Sequence, residues 1–410
     1  MKLTAHERSI LAGDFGDEAR KILEVMVKVY EVNDARDFVE VGEVMLASTQ
    51  NMSISGVAGM EFLTRLADSG MRFRVKTITD PVSIDLGAWQ RLGISEEFAE
   101  HQQKAVRALI KMGAVPTWTC TPYLVGSIPR YGDHLAYVET SVVCFANSYF
   151  GARTNREMDI SALAAAFTGK TPCYGFHVAD NREGQVVVNL EVELRATSDY
   201  DALGNYVGKI AGTRVPVFRG MSRDVSTQAL MQLGAALATS GAVSLFHIAG
   251  VTPDIVMDPY KYGEKSVVEE LTIGDEDMRR AYEELNTTRD TDIDFVALGC
   301  PHYGFEKLRE VASFLEGKRV REGVEVWICT SRGVRDMALR SGEVKVIEKA
   351  GAKVVVDTCM VLVPVKQKGF RTMATDSAKA QFYDSGFGIG VRFGSTEGCL
   401  RAAISGTWGG

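Results

Sequence analysis

From residue 293 onward, short apolar runs alternate with stretches of helical periodicity. Residues 293–298 read as a strand, 305–315 as a helix, 324–330 as a strand, 334–350 as a helix and 353–356 as a strand. Strands separated by helices of this length form a parallel sheet with crossover helices. Upstream the alternation is less regular. Residues 38–46 and 72–78 read as strands, 17–30, 60–67 and 94–111 as helices, and 114–119 as a short strand running into Cys120. Thr4 with Glu7 makes a capping box ahead of the first helix. In the middle, 139–150, 160–167 and 226–239 read as helices, and 185–194, 215–218 and 242–251 as strands, with 173–178 expected to pair with 185–194. The expected class is α/β, with parallel or mixed sheets and crossover helices in several layers.

At ~150 residues per domain, a chain of 410 residues suggests two or three. The expected division is an N-terminal α/β region over 1–150, a middle α/β region over 151–285 and a C-terminal α/β region over 286–410. Hydrophobic residues at 46% and charged residues at 24% exclude a disordered chain. The net charge of −7 offers no match to nucleic acid or an anionic membrane. Residues 225–253 carry no Asp, Glu, Lys or Arg, but Ser, Thr, Gln and Gly interrupt them, whereas a membrane span needs ~20 mostly apolar residues. The first residues lack the apolar core of a secretory signal. A soluble, cytoplasmic protein is expected, with no nucleic-acid or membrane partner.

The seven cysteines are odd in number, widely spaced and free of any C-x-x-C pair, which argues against a disulfide framework. Cys120, Cys300 and Cys359 each follow the carboxyl end of an expected strand. In open α/β sheets that edge binds ligands. Cys300-Pro301 and Cys120-Thr121-Pro122 place a proline near the sulfur, which fixes φ and removes a competing donor. Three thiolates meeting there could hold an iron–sulfur cluster with one iron free to act as a Lewis acid. The alternative is three unrelated buried thiols. Cys144, Cys173, Cys329 and Cys399 read as ordinary thiols.

Several motifs, in order along nearly the whole chain, together resemble the aconitase X family. They are Thr119-Cys120-Thr121-Pro122-Tyr123, Glu139-Thr140-Ser141-Val142-Val143 and Gly151-Ala152-Arg153-Thr154-Asn155-Arg156-Glu157. Phe246-His247-Ile248-Ala249-Gly250-Val251-Thr252-Pro253, Gly299-Cys300-Pro301-His302 and Asp376-Ser377-Ala378-Lys379 complete the set. The resemblance is to the large, catalytic subunit in its separate form. It implies an aconitase-like multi-layer fold and hydro-lyase (dehydratase) activity. It also implies an iron–sulfur cluster, expected as 4Fe-4S, on Cys120, Cys300 and Cys359. A small swivelling-domain subunit would complete the site and carry the catalytic base, so no catalytic residue is assigned in this chain. The family's two activities are dehydration of (R)-5-phosphomevalonate to trans-anhydromevalonate 5-phosphate, in an archaeal-type mevalonate pathway of isoprenoid biosynthesis, and dehydration of cis-3-hydroxy-L-proline. The first is preferred, because a glycine loop and Lys379 could hold a phosphate.

That loop, Gly56-Val57-Ala58-Gly59, lies between an expected strand and helix. Backbone N–H groups at a helix N-terminus favour anions; a tight turn is the other reading, and no Walker pattern follows. The resemblance marks Gly56, Val57, Ala58, Asp80, Pro81, Glu139 and Thr140 as contacts of a small anionic hydroxy acid or neighbours of the cluster. It marks Lys379 as the cation for the anionic group. Asp80 would add a negative charge beside that anion. Arg332 is a second anion candidate. His302 is placed to tune the cluster or relay protons, and His247, in an apolar run, reads as core. The rival class is a metal-free scaffold subunit whose pocket only binds a metabolite.

Overall fold

Thr4 opens the first helix, Ala5–Ala12, through the expected two-way box: its hydroxyl accepts from the Glu7 N–H at 3.2 Å, and the Glu7 carboxylate accepts from the Thr4 N–H at 2.7 Å. These details come from a computed structural model, which describes residues 3–409. The next helix, Asp17–Val32, buries Ala19, Ile22, Leu23 and Met26 on one face. The strand expected over 38–46 divides at Val41-Gly42. Phe38–Glu40 pairs antiparallel with Lys170–Pro172, while Glu43–Leu46 joins a different sheet. There it lies between Lys76–Thr79 and Leu135–Tyr137, parallel to both.

The expected strand 114–119 is reduced to a single bridge between Val115 and Ile78. Pro116 has no N–H to give to a ladder, and Trp118 has φ of +41°. The Thr117 hydroxyl takes over, donating to the Thr79 carbonyl at 2.7 Å and accepting from the Thr79 N–H at 3.0 Å. Cys120 therefore follows an extended edge segment rather than a strand.

The middle of the chain forms a four-stranded parallel sheet in the order His247–Ile248, Pro216–Arg219, Val186–Leu190, Glu269–Ile273. Val186–Leu190 has both edges taken, so 173–178 does not pair with it; Gly175–His177 is a 3-10 turn. The run 242–251 keeps only two strand residues, because Ala242 caps the preceding helix at φ of +60°. The helix Thr197–Ala211 escapes sequence periodicity because it is buried on most sides. It packs on Thr227–Gly241 so closely that a Cβ on Gly204 would lie 2.8 Å from the Ala236 Cβ.

The last third is a parallel sheet of five strands in the order Lys353–Val355, Glu325–Thr330, Phe295–Tyr303, Thr372–Thr375, Gly390–Phe393, of which the first three are expected from the sequence. Gly342, at φ of +109°, divides the expected helix 334–350 into Arg332–Ser341 and Glu343–Lys349. Helices and mostly parallel sheets thus make an α/β layered protein. Among the described residues no helix is long and apolar enough to cross a membrane.

The central strand Phe295–Tyr303 is buried throughout and shifts register between Leu298 and Tyr303. Gly299 sits in that bulge at φ of +91°, and a Cβ there would lie 2.1 Å from the Cys329 carbonyl oxygen. Only glycine satisfies both the conformation and the approach. Gly299→Ala is expected to lower unfolding free energy by about 2–4 kcal/mol, read from urea denaturation; a loss below about 0.5 kcal/mol, the usual size of a surface substitution, would contradict this account.

Candidate active site

The carboxyl ends of the three-stranded and five-stranded sheets meet at one pocket of about 190 Å³. Asp80 and Pro81 reach it just after Lys76–Thr79, and Glu139 and Thr140 after Leu135–Tyr137. Cys300 comes from the Gly299 bulge, Cys359 from the loop after Lys353–Val355, and Lys379 from the first turn of Ala378–Gly386. Cys120 completes the lining. The three strand-edge cysteines, and five of the eight other candidates named from the resemblance, therefore share one cavity. Gly56, Val57 and Ala58 are not among the lining residues. Their helix, Met52–Asp68, breaks at Gly56 (φ 59°, ψ −161°) and meets the pocket through Ile54, while Val57 faces a separate surface groove. Arg332 also lies outside the lining, paired with Asp357 and with Asp85 at 3.7 Å.

Lys379 donates to a Glu139 carboxylate oxygen and, at 2.8 Å, to the Ser141 hydroxyl. Burial alone would lower its pKa, but the Glu139 charge and the adjacent cysteines raise it well above the usual lysine value. Lys379 is therefore a fixed cation. Glu139 also caps the helix Thr140–Tyr149 by accepting from the Val142 N–H at 2.7 Å. Its two roles, helix cap and lysine partner, coexist. The Lys379 helix is held at its start by Asp201, which accepts from the Ala378 N–H at 3.0 Å, and by the Ser377 cap on Ala380 at 3.1 Å. Asp201 lies on Thr197–Ala211, so no sequence motif points to it.

Asp80 is buried, and its Oδ1 has no protein partner. Burial, then the Glu139 charge, pushes its carboxyl well above the ordinary aspartate range, against the pull of Lys379. A buried carboxylate oxygen without a partner costs free energy.

Burial likewise raises the thiol pKa of Cys120 and Cys359 well above normal and pushes Cys300 up to about 12. None is a ready nucleophile in this state. A bound metal would deprotonate them outright. Among the described residues no three His, Cys, Asp or Glu gather around a single ion. Three cysteines line one cavity, and the thiolates of a multi-iron cluster attach to different irons rather than to one ion. Cys329 lies in Glu325–Thr330 and, with Cys144, Cys173 and Cys399, is not among the lining residues.

His302 is fully buried, and burial depresses its pKa to about 4. Nδ1 lies 2.9 Å from the Thr119 hydroxyl and Nε2 lies 3.0 Å from the Thr358 carbonyl. Neither nitrogen is free to relay a proton. His247 is a core residue, with Nε2 at 2.8 Å from the Arg182 carbonyl.

Comparison with known proteins agrees with this fold. Models of the aconitase X first, second and third domains match residues 1–180, 184–283 and 293–405. The phosphomevalonate dehydratase large subunit of Methanothermobacter thermautotrophicus is 41% identical over 381 residues, 93% of this chain and 93% of that one. The cis-3-hydroxy-L-proline dehydratase of Pseudomonas aeruginosa is 33% identical over 99% of this chain and 70% of its own length. The crystal structure of Thermococcus kodakaraensis aconitase X in its holo-form matches with a TM-score of 0.87 at 35% identity, covering 98% of this chain and 100% of that one. With its three domains matched in order and its fold shared, this chain belongs to the aconitase X family.

Proposed function

We propose that this chain is the large subunit of a hydro-lyase that dehydrates (R)-5-phosphomevalonate to trans-anhydromevalonate 5-phosphate. The observation that carries this reading is the meeting of Cys120, Cys300 and Cys359 with Asp80, Glu139 and Lys379 around one pocket. The relatives of higher identity bear the phosphomevalonate dehydratase name, which supports this substrate over hydroxyproline. Cys120, Cys300 and Cys359 would hold the cluster, expected as 4Fe-4S. When bound, it supplies an iron without a cysteine ligand that can polarise the substrate hydroxyl and carboxylate.

This chain's own groups then bind and orient. Lys379, locked by Glu139 and Ser141, meets an anionic group of the substrate as a preorganised cation. Burial disfavours a charged Asp80 carboxylate, which lessens its repulsion of an anionic ligand. Ile54, Pro81, Val138, Val361 and Leu362 give the pocket an apolar wall that keeps water from the bound substrate. Lys379 is the one cation among the described lining residues, and Glu139 already offsets it. A phosphate needs further positive charge, so part of its recognition falls to a small swivelling-domain subunit, together with the catalytic base. The single cation also makes cis-3-hydroxy-L-proline the alternative substrate, since a zwitterion needs no second cation. The cysteines are free thiols, as suits a reducing cytoplasm.

Three outcomes test the reading. The anaerobically prepared complex with its small subunit should dehydrate phosphomevalonate and leave cis-3-hydroxy-L-proline essentially untouched; the opposite preference would overturn the substrate, and protein that takes up no iron and dehydrates neither compound would favour the metal-free scaffold. Cys120→Ser, Cys300→Ser and Cys359→Ser should each lose most of the iron measured per chain, while Cys329→Ser keeps it. Lys379→Met should retain iron yet lower kcat/KM by about 100-fold or more, as loss of a preorganised charge contact does.

A further inference from the structure

Cys120, Cys300 and Cys359 lie far apart in the chain, and the backbone of three separate loops must hold their sulfurs at one spacing. We propose that His302 is the positioning residue that ties these loops together, through both ring nitrogens and its backbone N–H. The proposal rests on the three cysteines being cluster ligands, as argued above, and extends that reading to a residue that touches neither cluster nor substrate.

Three contacts carry it. The ring Nε2 lies 3.0 Å from the carbonyl of Thr358, the residue before Cys359. A carbonyl only accepts, so Nε2 bears the proton. Nδ1 lies 2.9 Å from the hydroxyl of Thr119, the residue before Cys120. That hydroxyl in turn accepts from the Thr121 N–H at 3.1 Å, which fixes the backbone on both sides of Cys120. The third contact is from the backbone: the His302 N–H donates to the Cys120 Sγ at 3.3 Å. Since His302 follows Cys300 by two residues, one side chain joins all three ligand-bearing segments.

The ring is fully buried and both its nitrogens are used, so it has no slack to adopt another arrangement. Removing it would leave the Thr119 hydroxyl and the Thr358 carbonyl without this partner and let Cys120 and Cys359 move independently. Partners that orient metal ligands matter in this way: their loss typically weakens metal binding by about 10–100-fold. The geometry also separates the two ties. His302→Gln carries an amide N–H that can reach toward Thr358 but offers nothing at the Nδ1 position. His302→Asn can meet Thr119 but falls short of Thr358.

The test uses the complex with its small subunit, loaded with iron and sulfide under anaerobic conditions. Iron per chain, visible absorbance and the rate of iron release to excess ferrous chelator are measured, alongside the thermal midpoint of the iron-free protein. His302→Ala should release iron about 10-fold faster or more. His302→Gln and His302→Asn should fall between it and the unaltered protein, with iron-free midpoints close to that of the unaltered protein. Should His302→Ala fail to fold, the Gln and Asn variants decide. Normal iron content and an unchanged release rate in those variants would overturn the role of His302 alone. Failure of the unaltered protein to take up iron would instead overturn the ligand assignment, and this proposal with it. A lowered iron-free midpoint with unchanged iron release would mark His302 as an ordinary core residue and also overturn the proposal.

Discussion

Parallel strands place all their carboxyl ends on one edge, and here two such edges face each other across a cavity. That arrangement lets residues remote in sequence act at one point. Asp80, Cys120 and Glu139 come from the first sheet and its margin, and Cys300, Cys359 and Lys379 from the last. The Lys379–Glu139 contact spans 240 positions of sequence, and the His302–Thr119 contact spans 183. Each half alone would present an incomplete set: carboxylates and one thiol on one side, two thiols and the cation on the other.

The site is assembled against the ordinary preferences of a core. Thiols, two carboxylates and an ammonium group are gathered in low dielectric, where burial penalises their charged forms. Support comes from elsewhere in the fold. The middle region contributes Asp201, on the helix Thr197–Ala211, which holds the first turn of the Lys379 helix. Gly299 lets the central strand bulge so that Cys300 turns into the cavity. The orphaned Asp80 Oδ1 is the part of this expense that the protein alone does not offset.

Local signals point to the three cysteines at the ends of expected strands, whereas Asp80, Glu139 and Lys379 are named only through the family resemblance. Alternation of strands and helices beyond residue 293 matches three strands of the five-stranded sheet, and Cys300 and Cys359 lie near the ends of two of them. What sequence reading missed depended on contacts between distant segments. Thr197–Ala211 has no amphipathic stripe because it is buried on most sides, so Asp201 went unnoticed. Residues 114–119 have the composition of a strand, but Pro116 and the Thr117 hydroxyl replace the ladder. Thr119 and Thr358 carry no motif of their own; their part emerges only from where the His302 ring points. The Gly56 loop drew attention for its glycines, yet it lies beside the pocket rather than in its lining.

The central claim is spatial: three particular sulfurs surround one iron centre. Anomalous scattering at the iron absorption edge, from crystals grown and kept without oxygen, measures this directly. The account predicts a compact multi-iron peak bounded by the Sγ atoms of Cys120, Cys300 and Cys359, with one side of it facing Lys379 and Asp80. Iron density bound at Cys329 or another thiol, or none in this pocket in protein that contains iron by chemical analysis, would contradict it.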